Sequence, residues 1–336
     1  MKAIVIEAPG EQPKLAWQEV EDAKPGAGEV LIRVAAAGVN RADLMQCAGG
    51  YPPPPGASPY PGLECAGVVA QVGARCERFR VGDTVCALLS GGGYAELVAV
   101  PEGQVLPVPE GVSIEHAAGI PEVFATAYAN LYMEAAARAG EVFLVHAGAS
   151  GVGTASIGLA RLLGNPCYVT VGGEEKMARC LDLGASGACD RHADSFVEKV
   201  QEWTDGRGVD VILDPVGASY YNDNLSSLAI DGRLVLIGLM DGHRIQSSLV
   251  PALRKRLRIV GSTLRNRSIE YKSRVMSALQ REVWPAFEDA SLQVEIDRVF
   301  HISDIQAAHD HMRANANVGK IVLQIANRLP GGVITH

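Results

Sequence analysis

Between Val142 and Ala155 an apolar run, a glycine-rich turn and a small-residue stretch follow one another: Val142-Phe-Leu-Val-His-Ala-Gly148-Ala-Ser150-Gly151-Val152-Gly153-Thr-Ala155. This order describes a strand turning sharply into a helix, and it commits the neighbouring chain to βαβ units. Gly148 lets the chain turn off the strand, Gly153 lets the helix pack closely on the sheet, and free N–H groups at the helix start face a pyrophosphate. The dinucleotide pattern G-x-G-x-x-G reads here as Gly148-x-Ser150-x-x-Gly153, with Gly151 added. A side chain therefore stands where backbone usually nears phosphate. Alone, such a motif also describes a tight turn before any helix, so its neighbours decide.

From Glu141 onward, strand candidates at 142–146, 167–171, 187–190, 209–214, 233–238 and 257–261 alternate with helical patterns at 153–163, 174–183, 195–204 and 220–228. The alternation predicts an α/β domain with a six-stranded, doubly wound parallel sheet. The earlier chain differs, with short strand candidates at 2–6, 29–35, 67–72, 82–85 and 94–100 among turns and prolines, and reads as a β-rich domain. After Gly261 come two helical patterns, 271–282 and 302–315, and a closing strand at 319–325 that returns to the first domain. The expected division is 1–120, 121–262 and a return segment 263–336. Its last residues, Leu329-Pro-Gly-Gly-Val-Ile-Thr-His336, read as a loose tail.

Of the 336 residues, 48% are hydrophobic and 20% charged, which fits packed cores rather than disorder. A formal net charge of -8 argues against a surface that neutralises a phosphate backbone, so nucleic acid is not an expected partner. The one basic run, Arg254-Lys-Arg256 with Arg258, reads as a solvated helix end. The N-terminus lacks the apolar core of a signal peptide, and no apolar run approaches a membrane span, so a soluble cytoplasmic protein is expected. Seven scattered cysteines without C-x-x-C pairs should be thiols, mostly buried and inert.

Four segments now narrow the reading: Gly38-Val-Asn40-Arg-Ala-Asp43-Leu44, Pro61-Gly-Leu-Glu64-Cys-Ala-Gly67, Val81-Gly-Asp83-Thr-Val85 and Gly91-Gly-Gly-Tyr94-Ala-Glu96. With the glycine turn, they resemble the medium-chain dehydrogenases/reductases of the zinc-free NADPH:quinone oxidoreductase type, over Met1 to about Ile325. Asn40-Arg-Ala-Asp-Leu-Met-Gln46, Pro53-Pro-Pro-Gly-Ala-Ser58 and the stretch His146 to Ala155 look most like the tumour-suppressor-inducible quinone oxidoreductase branch, related to zeta-crystallin. Gly238-Leu-Met240 and Asn317-Val-Gly-Lys-Ile-Val-Leu323 point the same way. That branch carries serine at the Ser150 position. The resemblance implies a GroES-like domain and a Rossmann domain with nicotinamide in the cleft between them. It also implies a homodimer, possibly paired into a tetramer, formed through the last Rossmann strand at 257–261.

NAD-specific sites place a carboxylate at the end of the second strand to grip the ribose 2′-OH. By family register that place is Val171, so NADPH is the expected cofactor. Lys176 at the next helix start, and Arg191 after the third strand, are candidates for the 2′-phosphate. Glu174 and Glu175 oppose it, and Lys176 is otherwise an exposed helix cation. Further cofactor contacts implied by the resemblance are Asn40, Thr126, Gly148, Ser150, Gly151, Val152, Gly153, Gly172, Gly238 and Asn317. Zinc-dependent relatives ligate metal with a Cys where Asn40 stands and a His where Leu63 stands, so no metal is expected. His309 and His311, two apart on a helix, face different ways.

Without a Lewis acid, hydride transfer relies on proximity, an electrophilic acceptor and donors where negative charge develops, which suits quinones. Tyr51, on a loop stiffened by Pro52 to Pro55, is either such a donor or a ring packed on prolines. Asn40 either fixes ribose or substrate carbonyl, or forms a turn. Thr126 either holds the nicotinamide ring or bonds its own helix backbone. Asp43 and Glu64 read as structural carboxylates, paired with Arg or capping turns, rather than an acid/base pair. His146 is expected to satisfy a backbone carbonyl, and Cys65 to pack. Two other functions remain open: reduction of an activated C=C bond in enones or alkenals, and a non-catalytic NADPH-binding protein, crystallin-like or RNA-binding.

Overall fold

The computed structural model describes residues 1–326, so the tail 329–336 lies outside the described residues. Two compact units form, one from Met1–Ala125 and the chain from Leu264 on, the other from Thr126–Thr263. In the first unit the strands are β1 (Lys2–Ala8), β2 (Lys14–Glu19), β3 (Glu29–Val39), β4 (Glu64–Val72), β5 (Thr84–Leu88), β6 (Leu97–Pro101) and β7 (Val105–Pro107). The second unit contributes β8 (Phe143–His146), β9 (Cys167–Val171), β10 (Gly187–Asp190), β11 (Val209–Asp214), β12 (Leu228–Leu236) and β13 (Arg258–Gly261). The chain then returns to the first unit with β14 (Ile296–His301) and β15 (Lys320–Gln324).

β3 organises the first unit because its sequence, Glu-Val-Leu-Ile-Arg-Val-Ala-Ala-Ala-Gly-Val, is apolar almost throughout and is buried on both faces. It pairs antiparallel with β4, β6 and β15 in a seven-stranded sheet of order β14-β15-β3-β4-β5-β7, with β6 joined to β3 alone. Ile32, Val34, Val69, Val85, Val98 and Leu323 share its core with Tyr94. Tyr94 precedes β6 rather than belonging to it, and its ring is fully buried. The helix Ile305–Arg313 turns His309 into this core and His311 outward to Asp297 at 2.7 Å. His309 lies 6.0 Å from Tyr94 between ring centroids, and neither of its ring nitrogens has a hydrogen-bond partner.

The second unit is a parallel sheet of order β10-β9-β8-β11-β12-β13, crossed by the helices Gly151–Leu163, Glu174–Asp182, Phe196–Trp203 and Tyr221–Ser227. β9, β10 and β11 fall where apolar runs between turn residues place them. β12 starts at Leu228, five residues before the expected 233, because the strand continues through left-handed Asp231 (φ 63). The basic run is not simply a solvated helix end. Lys255 donates to the carbonyls of Leu225, Ser226 and Leu228 at 2.7 to 3.0 Å and so caps the C-terminus of Tyr221–Ser227, while Arg256 pairs with Asp231. No helix among the described residues is long and apolar enough to cross a membrane.

Candidate active site

In the second unit the glycine turn is built differently from its sequence reading. Ala147, not Gly148, takes the left-handed conformation (φ 55). Gly148 instead donates its N–H to Thr170 O at 2.9 Å, and a Cβ on it would lie 2.4 Å from the Cβ of Val169. What glycine supplies there is closeness to β9. Likewise a Cβ on Gly153 would lie 2.4 Å from Gly148 O and 2.5 Å from Ala147 O, so the helix presses on the turn itself. Ser150 is the N-cap, and its hydroxyl accepts the Gly153 N–H at 3.1 Å. Gly151 and Val152 sit in the first turn, where the helix has no carbonyl four residues back to offer their N–H groups. The serine thus caps one amide and leaves an amide-lined cradle of the kind anions occupy.

Under this turn lies a buried polar chain. His146 does not bond a backbone carbonyl as expected; its Nδ1 meets Thr170 Oγ1 at 2.9 Å and its Nε2 meets Asn224 Oδ1 at 2.7 Å. Asn224 donates to Asp214 Oδ2 at 2.8 Å, and Asp214 Oδ1 accepts the N–H groups of Val216 and Gly217. Burial lowers the imidazole below its ordinary value, so it serves as a neutral link between the C-terminal ends of β8 and β9 and the loop after β11. Gly238 belongs to the same loop layer, since a Cβ there would lie 2.8 Å from Pro215 O.

At the end of β9, Val171 is buried and Gly172 opens toward two basic side chains. A Cβ on Gly172 would stand 3.5 Å from Arg191 Nη2 and 3.4 Å from His192 Nε2. Lys176 lies half-buried in the first turn of Glu174–Asp182. Asp190, which the sequence reading passed over, accepts the N–H groups of Gly173 and His192 at 3.1 and 3.0 Å. Those bonds hold its carboxyl below the usual range and tie the two loops together. Tyr220 meets His146 edge to face with ring centroids 4.8 Å apart and lies within electrostatic reach of Arg191. Thr126, in the helix Pro121–Tyr128, accepts the Asn130 amide through its carbonyl at 2.8 Å.

The first unit holds a second cluster. Asn40 is the N-cap of the helix Arg41–Cys47, with its N–H on Asp43 Oδ2 at 2.8 Å. Its side chain donates to Glu64 Oε1 at 2.9 Å and accepts from Lys320 Nζ at 2.8 Å. Lys320 also reaches Val39 O at 2.8 Å and Glu64 Oε1 at 2.6 Å, which makes a buried ion pair. A Cβ on Gly38 would fall 2.2 Å from Glu64 Oε1, so glycine there makes room for the carboxylate. Asp43 accepts from Gly62 N and the Tyr94 hydroxyl at 2.9 Å each, and burial pushes it up to about 6. Both acids thus serve structure, with Lys320 rather than an arginine as the ion-pair partner. Asn317, before β15, bonds Gly319 O at 2.8 Å.

Tyr51 is half-buried. Burial and then the Glu122 carboxyl raise its phenol above the ordinary value, against the pull of Arg265. The Arg265 guanidinium lies 5.2 Å from the Tyr51 ring centroid. Glu122 itself is pushed up to about 8, first by burial and then by Glu64, so both groups hold their protons at neutral pH. Lys320 was not singled out from the sequence, although a lysine within an otherwise apolar strand could have marked it, whereas nothing local in the sequence marks Arg265 or Glu122. All seven cysteines are free, and burial raises the Cys65 thiol well above its ordinary value. Among the described residues, no cluster of three or more His, Cys, Asp or Glu side chains is placed to hold a metal ion.

Residues 26–110 match the alcohol dehydrogenase GroES-like domain family, and residues 151–281 match the zinc-binding dehydrogenase family. A mycobacterial protein solved in complex with NADPH is 30% identical, with 97% of this chain and 100% of that one covered and a TM-score of 0.85. The quinone oxidoreductase of Escherichia coli, also complexed with NADPH, is 26% identical over 97% of this chain and 100% of its own, with a TM-score of 0.86. The CurK enoyl reductase is 27% identical at a TM-score of 0.85, covering 97% and 99%. A low-reducing polyketide synthase of Aspergillus calidoustus is 34% identical over 95% of this chain, which spans only 13% of the synthase. Mycobacterial polyketide synthases match in the same way, the chain spanning 11% to 15% of their length.

Proposed function

Since the chain belongs to the medium-chain dehydrogenase/reductase superfamily, with a GroES-like unit and a Rossmann unit, we propose that it is an NADPH-dependent, metal-independent quinone oxidoreductase. The observation that carries this reading is the Lys320 ammonium beside Glu64 and Asn40. Three oxygens, Val39 O, Asn40 Oδ1 and Glu64 Oε1, already surround that cation, and by the resemblance Asn40 stands where zinc-dependent relatives keep a metal ligand. An acceptor must then be electrophilic enough to take hydride unaided, as quinones are.

The chain's residues fit the cofactor. The amide cradle at Gly151 and Val152 suits a pyrophosphate, and the cradle depends on glycines whose Cβ atoms would collide with turn or strand. Arg191 beside Gly172, and Lys176 in the first turn of the next helix, offer positive charge for a 2′-phosphate, while Val171 offers no carboxylate for a 2′-hydroxyl. NADPH, when bound, supplies the hydride from C4 of its nicotinamide. Tyr51 keeps its proton and hydrogen-bonds to the oxygen on which charge develops. Asn40, whose amide is engaged by Glu64 and Lys320, is held fixed in the first unit; Asn317 in that unit and Thr126 in the second are further candidate contacts.

A second reading, reduction of an activated C=C bond, draws support from the likeness to enoyl reductases. NADPH oxidation is to be followed with a small quinone and with an alkenal, each with and without chelator. Quinone turnover indifferent to chelation is expected. Turnover with the alkenal alone would replace the leading reading by the second, and loss of turnover on chelation would overturn both.

A further inference from the structure

We propose that Arg265 is a positioning residue that holds the Tyr51 phenol in place by pinning both ends of the loop that carries it. This rests on the reading of Tyr51 as a hydrogen-bond donor to the acceptor.

Arg265 is the second residue after the chain re-enters the first unit, and it is only 2% exposed. All three of its side-chain nitrogens are spent on separate segments. Nη1 donates to Tyr51 O at 3.0 Å, Nε to Ser90 O at 2.9 Å, and Nη2 to Gln46 Oε1 at 2.6 Å. Gln46 in turn donates to Pro59 O at 2.8 Å. One guanidinium therefore fixes the loop directly at residue 51 and, through Gln46, at residue 59. Between these anchors stand Pro52, Pro53, Pro54 and Pro55, each with φ restricted by its ring, so little freedom is left once the ends are tied.

The same guanidinium stands over the Tyr51 ring, which fixes the ring plane as well as the backbone. Lys272 secures the arginine from behind, with Nζ donating to Arg265 O at 3.2 Å and Ser90 Oγ at 2.5 Å. Two buried cations side by side are costly, and burial lowers the proton affinity of each. A carbonyl-to-carbonyl tie could be made by any neutral donor. A planar fork reaching three acceptors while facing an aromatic ring is a task lysine cannot perform.

The test uses the full chain with Arg265→Met, Arg265→Lys, Tyr51→Phe and the double variants. If Arg265 acts through the phenol, Arg265→Met lowers kcat about 10- to 100-fold in the Tyr51 background and less than about 3-fold in the Tyr51→Phe background. NADPH affinity stays within about 2-fold in both, and Arg265→Lys recovers only part of the loss. Additive losses, or an equal fall in NADPH affinity, would overturn the proposal. Hydrogen–deuterium exchange is read alongside. Faster exchange in 48–62, with the second unit unchanged, is expected for Arg265→Met and, near residue 59, for Gln46→Glu, which keeps the acceptor for Arg265 but loses the donor to Pro59. Unchanged exchange in that loop would overturn the clamp whatever the acceptor proves to be. Absence of quinone turnover in the unaltered protein would count against the proposed function alone. Arg265→Lys, which retains the buried cation, serves if Arg265→Met does not fold.

Discussion

His309 shows how far a single residue can be from its sequence reading. The i, i+2 spacing with His311 gives their opposite directions, yet nothing local tells that one ring ends in the core beside Tyr94 without a hydrogen bond. Burial lowers its pKa from 6.5 to about 4. The folded chain therefore binds this proton less readily than the unfolded chain, and the stability involved is whole above pH 6.5 and lost as pH falls toward 4. The shift corresponds to about 3 kcal/mol. His309→Leu should flatten the fall of melting temperature between pH 7 and pH 4, and an unchanged slope would show the ring is not the acid-labile group. At the cofactor corner, Lys176→Glu should weaken NADPH far more than NADH in binding titrations; equal losses would mean that Lys176 does not read the 2′-phosphate. The glycines of the turn were legible as glycines, but which of them turned and which merely gave room was not. That choice is settled by Val169 and by the turn carbonyls, a matter of packing.

Elements were legible in proportion to how continuously apolar they are. β9, β10 and β11 could be read from runs flanked by turn residues. β2 and β14 could not, because their residues are mostly half-exposed and no apolar face stands out. The helix Arg41–Cys47 is too short for periodicity to show, and the π-helical turn Ala129–Glu134 depends on bonds no 3.6-residue pattern encodes. The N-terminus of Gly151–Leu163, by contrast, is announced by Ser150. Ser150→Ala removes the acceptor of the Gly153 N–H and should cost about 1 kcal/mol in urea unfolding. The same variant should alter NADPH affinity by less than Lys176→Glu does, since the amides proposed to face the pyrophosphate are those of Gly151 and Val152. A larger effect on binding than on stability would mean that the hydroxyl itself touches the nucleotide.

For the whole molecule, the open question is what meets β13. It is the terminal strand of its sheet, with Ile259 41% exposed, and the neighbouring chain leaves Ile245, Leu249 and Leu253 exposed as well. An uncovered apolar edge of this kind is a pairing template. A homodimer formed strand to strand is the expected state, and Leu253→Glu with Ile259→Lys should shift the mass measured by light scattering from dimer to monomer. A monomeric parent protein would remove this expectation.

One consequence follows from the place of β15. It lies between β14 and β3, and it brings Lys320 to Glu64 across 256 residues of chain. During synthesis the ribosome delivers Thr126–Thr263 in one piece, so the nucleotide-binding half can complete itself early. The other half waits with an unfilled slot beside β3 and an uncompensated carboxylate until residue 324 has emerged. Its folding is thus gated by the arrival of a late strand, and a chain ended anywhere before Lys320 has no cation to seat beside Glu64.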